Sequence, residues 1–190
     1  MSYTASNEPI PAVLPFAHPL DEFYAHAGRT LPRIEMVHDG QIPDPYEELL
    51  VHDGDMTPTL EKFHHATIHL RVLRREQHGD FYFREVVLVT DETEKNVEFG
   101  AIKIFLNQFP IAARNEILSE RVPLGTILAQ HHIAHNSRPK AFVRVFSDDY
   151  INQALGLHGT QILYGRRNTL STSEEHALAE IFEILPPQQS

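Results

Sequence analysis

Three strand-length runs follow one another between Ile68 and Leu106 with very little chain between them, and that spacing constrains the fold more than any other feature. Residues 68–77 alternate Ile68, Leu70 and Val72 with His69 and Arg71, the period-two pattern of a strand with one buried face. His78-Gly79-Asp80 leaves no room for a crossover, so residues 81–90 (FYFREVVLVT) return as the second arm of a hairpin. A charged loop, 91–96, leads into a third strand at 97–106. Further strands are expected at 140–147, 161–170 and 176–185. Between them lie short helices opened by Pro110 and following Pro123, and a third capped by Asp148 and ended by Gly156. Another short helix is expected with Thr57 as N-cap and Pro58 in the first helical position. Strands come in runs, without β-α alternation. The expected class is therefore α+β, with a six-stranded, mostly antiparallel sheet and helices.

The first 45 residues carry Pro9, Pro11, Pro15, Pro19, Pro32, Pro43 and Pro45, a density that forbids a long helix and predicts an extended N-terminal arm. The expected organisation is a proline-rich extension over 1–45 and a single domain over 46–187. With 26 acidic against 16 basic residues the chain has a formal net charge of -10, which argues against nucleic acid or an acidic membrane as the main partner. A small anionic ligand is still allowed, because one pocket can be positive on an acidic protein. There are no cysteines, so neither disulfides nor thiolate chemistry is available, which fits a cytoplasmic protein. Neither a signal peptide nor a membrane-spanning run is evident.

Arg84 is the anomaly within the second strand. It shares a face with Tyr82, Val86 and Leu88, where a guanidinium is costly unless an anion meets it. The last strand offers Glu180, on a face with Leu178, Phe182 and Ile184, whereas Glu183 falls on the other face. The pattern leaves two readings open: a buried Arg84–Glu180 salt bridge, or a cavity in which each meets part of a ligand. Gly100 shares its face with Ile102 and Ile104 and leaves space there for a ligand or a neighbouring backbone.

Taken in order, Asp55-Met56-Thr57, Arg84-Glu85, Gly100, Pro123-Leu124-Gly125, Leu163-Tyr164-Gly165-Arg166-Arg167 and Glu180-Ile181-Phe182 with Leu185-Pro186 resemble the chorismate lyase (4-hydroxybenzoate synthase) family over about residues 53–187. The resemblance implies a chorismate lyase-like fold that buries its ligand, and conversion of chorismate to 4-hydroxybenzoate and pyruvate with no metal or organic cofactor. Such an enzyme belongs to ubiquinone biosynthesis. Arg84 would bind the ring carboxylate and Glu180 the ring hydroxyl, the two acting as the catalytic pair. Backbone groups of Met56 and Leu124 would touch the ligand, and Gly100 would give it room. Eliminating the enolpyruvyl group needs no nucleophile, only positioning, exclusion of water and proton movement, for which Glu180 is the candidate acid or base. A monomer acting on a small molecule, without nucleic-acid or membrane partners, is expected.

Ala101 departs from the family, whose best-known bacterial members carry a basic residue there; Arg166 and Arg167 are both candidates to replace it. The alternative to an enzyme is a non-catalytic aromatic-carboxylate binding domain of the related regulator effector-domain fold. Against it stands the lack of a helix-turn-helix pattern before residue 45. A lyase acting on another cyclic enol ether is a third reading. His131 and His135 have the spacing of a helical zinc pair, but no second ligand cluster accompanies them, so they read as a solvated helix end. His52, His64 and His65 read as surface residues, and Asp148-Asp149 as a helix cap.

Overall fold

The computed structural model describes residues 16–188. The hairpin of the sequence pattern is there: β2 (Ile68–His78) and β3 (Phe81–Thr90) pair antiparallel from His78↔Phe81 to Ile68↔Thr90. β4 (Asn96–Phe105) completes a meander by pairing with β3. The chain then leaves the sheet for α4 (Ile111–Ser119) and α5 (Leu124–Gln130). It returns as a second meander of β5 (Asn136–Phe146), β6 (Ile162–Ser171) and β7 (Ala177–Leu185), with α6 (Asp149–Leu155) between β5 and β6. β7 closes against β4, which places β3, β4, β7 and β6 in the middle of one antiparallel sheet.

The sheet has seven strands, not the expected six. The extra one is β1 (Ile34–Val37), an edge strand paired with β5. It comes from the proline-rich stretch, as does α1 (Leu20–His26), whose Leu20, Phe23 and Tyr24 are buried. The prolines stand at element boundaries: Pro19 is the N-cap of α1, Pro32 precedes β1, and Pro45 is the N-cap of α2 (Tyr46–Leu50). From Phe16 onward the chain is folded onto the sheet. Pro9, Pro11 and Pro15, and the arm expected there, lie outside the described residues.

Helices cover both faces, which is why β3 is buried at nine of its ten positions. α1 and α6 pack on one face against Phe83, Val87, Phe99, Phe182 and Ile184. On the other face α4 and α5 meet Tyr82, Ile102 and Ile104, while α2 and α3 (Met56–His64) meet Val86 and Leu88. Each fully buried Leu, Ile or Phe in these layers contributes about 1.5–3 kcal/mol. α3 begins two residues earlier than its sequence signals suggest, with Asp55 as N-cap and Pro58 in the first turn. Amides there lack an intrahelical partner in any case, so a proline costs nothing. Among the described residues no helix is long and apolar enough to cross a membrane.

Candidate functional site

Between the two apolar clusters of the second face, where the starts of α3 and α5 meet above the central strands, lies a pocket. Met56 and Leu124 form its rim, Gly100 is on its floor and Arg84 points into it. Cross-strand register explains the grouping, since paired residues on antiparallel strands face the same way. Arg84 pairs with Ile102 and Ile102 with Ile181, while Val86 pairs with Gly100 and Gly100 with Glu183.

Arg84 is 2% exposed, and its Nε and Nη1 are buried without a hydrogen-bond partner among the described residues. Burial lowers the pKa of its guanidinium, with Tyr82 and Glu120 pulling the other way, yet an arginine keeps its charge. A buried cation with unpartnered nitrogens is a demand for an anion. Asn168, one rung along, adds a buried Oδ1 with no partner, while its Nδ2 donates to Ser137 Oγ at 2.9 Å. The first-turn amides of α3 have no side-chain cap and belong to the same rim.

Glu180 is not in this pocket. It lies on the opposite face, where its Oε2 is 3.3 Å from His18 Nε2 and 3.8 Å from Lys103 Nζ. Alternation does put Glu180 with Phe182 and Ile184, but that face carries α1 and α6. The carboxylate that reaches the pocket is Glu183. Its Oε2 accepts from Arg166 Nε at 2.5 Å, and neither group is open to bulk solvent. Arg166 Nη1 donates to the carbonyls of Leu50 and His52, and Nη2 to that of Gly54, at 3.0–3.2 Å. Arg166 is thus committed to the protein. Ala101 and Arg167, both paired with Phe182, face away from the pocket, so a basic residue at 101 would not reach it.

A second pocket carboxyl, Glu98, is buried, and its Oε2 has no partner among the described residues. Burial and the neighbouring Glu183 push its pKa well above the usual carboxylate range, against the opposing pull of Arg166. The space made by Gly100 serves this carboxyl: a Cβ at position 100 would sit 2.9 Å from Glu98 Oε1. The signal for Glu98 is present in the sequence, two positions before Gly100 on the same face. The histidines do not form a pair. His131 Nε2 meets Glu116 at 2.7 Å and His135 Nε2 meets Asp55 at 3.0 Å.

No family model matches this sequence, and no curated protein matches it. Solved structures do. PhnF from Mycobacterium smegmatis aligns with 90% of this chain and 93% of its own at TM-score 0.55 and 13% identity. Its effector domain alone aligns with 70% of this chain and 88% of its own at TM-score 0.53 and 13% identity. A weaker likeness, TM-score 0.47 at 9% identity over 64% of this chain and 87% of the other, is to the ligand-binding domain of a putative GntR-family transcriptional regulator from Bordetella bronchiseptica. What they share is the fold.

That fold is the chorismate lyase-like α+β arrangement of regulator effector domains. The enzyme expected from the sequence is corrected accordingly, and the setting in ubiquinone biosynthesis with it: the fold is matched at TM-scores above 0.5 by PhnF and by its effector domain. The geometry gives a physical reason of its own. Glu180, the residue meant to move the proton, is on the far side of the sheet, tied to His18.

Proposed function

We propose that this chain is a non-catalytic binding domain for a small aromatic carboxylate, working as the effector module of a transcription regulator. The observation that carries the proposal is Arg84, a buried guanidinium with two unpartnered nitrogens in the wall of a pocket. A ligand carboxylate would accept in parallel from one edge of the guanidinium, Nη2 together with either Nε or Nη1, an interaction for which the planar fork is built. Met56 and Leu124 would hold the ligand from the rim, and Val86 and Ile102 would pack against its ring. The fold shared with regulator effector domains supports sensing as the purpose of that binding.

Calorimetric titration with 4-hydroxybenzoate and with its uncharged methyl ester tests the reading. The acid is expected to bind and the ester to lose at least about tenfold, since the ester leaves Arg84 buried and unpaired. Equal affinity for acid and ester would show that Arg84 does not meet a carboxylate.

A further inference from the structure

The end of the pocket away from Arg84 has its own chemistry. Glu98 pairs with Leu88 in the sheet, and Leu88 lies four residues along β3 from Arg84, about 13 Å at roughly 3.3 Å per residue. The floor between them is Val86 and Gly100. Two carboxyls, Glu98 and Glu183, meet at that end, where the guanidinium of Arg166 commits four of its five N–H groups to Glu183 and three carbonyls. Glu98 is left with a buried oxygen that nothing in the described protein satisfies. A Cβ at position 100 would push its other oxygen, Oε1, aside. An apolar residue there would pack without leaving a group unsatisfied, so the site bears a cost that only a partner from outside removes.

We propose that Glu98 determines ligand specificity by selecting carboxylates that carry a hydroxyl or amino group at the end remote from the carboxylate. The inference rests on the reading of Arg84 as the carboxylate site and adds the second point of recognition. A ligand hydrogen-bond donor meets the free oxygen of Glu98, while Glu183 stays with Arg166. An analogue with a methyl group in the same place would leave that oxygen stranded and is rejected for this reason.

The test is titration of the full chain with 4-hydroxybenzoate, 4-aminobenzoate and 4-methylbenzoate, which differ at one group of similar size. The wild-type protein is expected to bind the hydroxy or the amino acid about tenfold or more tightly than the methyl acid, and the stronger of the two identifies the donor. Glu98→Leu is expected to reverse the order, favouring 4-methylbenzoate, and to melt no lower than the wild type. Glu98→Gln, which keeps both a donor and an acceptor, is expected to retain the wild-type order. If the wild type binds all three acids alike, the role of Glu98 is wrong and the carboxylate site stands. A preference that persists in Glu98→Leu also overturns the proposal. If none of the three binds, the Arg84 reading fails and takes this inference with it. Should Glu98→Leu not fold, the comparison of methyl with hydroxyl in the wild type decides alone.

Discussion

Arg84→Met is the most exacting perturbation, because it should improve the empty protein while destroying its use. In the unliganded domain the side chain holds two buried nitrogens without partners, each costing about 1–3 kcal/mol. Methionine removes both and keeps most of the apolar stem, so some of the gain is lost only to imperfect packing. A net stabilisation of about 2 kcal/mol is expected, raising Tm by about 4–8 °C for a chain of this size. The liganded comparison runs the other way. At a hundredfold excess over Kd, 4-hydroxybenzoate should stabilise the wild type by about 2.7 kcal/mol and the variant by nothing measurable. Urea unfolding with and without ligand gives both quantities from one set of curves. An unliganded variant that is less stable than the wild type by about 2 kcal/mol would mean that Arg84 already has a partner in the protein. A variant still stabilised by the acid would mean that the carboxylate binds elsewhere.

Arg166→Met should do the opposite of Arg84→Met, destabilising by about 3–5 kcal/mol, since it strands Glu183 and three backbone carbonyls; thermal melting reads the difference. Gly165→Ala should cost at least about 3 kcal/mol or prevent folding, because its Cβ would fall 2.1 Å from the carbonyl oxygen of Glu183 on the adjoining strand; soluble yield and Tm report it. His18 supplies a pH dependence. Burial lowers its pKa, but the carboxylates of Asp21 and Glu180, each 3.3 Å from a ring nitrogen, outweigh this and raise it to about 9. A histidine with a raised folded pKa contributes stability that is full below about 6.5 and lost as pH rises through about 9. Melting temperature should therefore fall across that window. The fall should flatten in His18→Gln and weaken in Glu180→Gln, while ligand affinity in Glu180→Gln stays at the wild-type level.

The strands were legible in the sequence because hairpin spacing and period-two alternation are local properties, and β2 through β4 follow from them directly. β1 and α1 were not, since proline density reads as an obstacle, although Pro19 and Pro32 in fact mark where elements begin. Arg84 was visible as a charge on an apolar face. The choice between Glu180 and Glu183 was not. β7 is apolar on both faces, because helices cover both, so alternation separates the two glutamates without saying which one sees the pocket. Only the cross-strand pairing of Gly100 with Glu183 decides it, and that register depends on residues about 80 positions apart. For Arg166 and Arg167 the same holds: the pairing of Arg166 with Glu183, not the pattern of β6, puts Arg166 inside.

The grip of Arg166 on the carbonyls of Leu50, His52 and Gly54 bears on how such a pocket can change over evolutionary time. One side of the rim, at Asp55, Met56 and Thr57, hangs from the sheet through a buried charge, so a substitution that shifts it also disturbs the Glu183 pair. The other side, at Pro123, Leu124 and Gly125, rests on the apolar packing of α5. Retuning the site for a new ligand is therefore cheapest around Leu124, where shape can drift without exposing or orphaning a charge. Descendants of this chain that recognise different molecules should differ first on that side, and keep Arg166 and Glu183 long after Glu98 has been replaced.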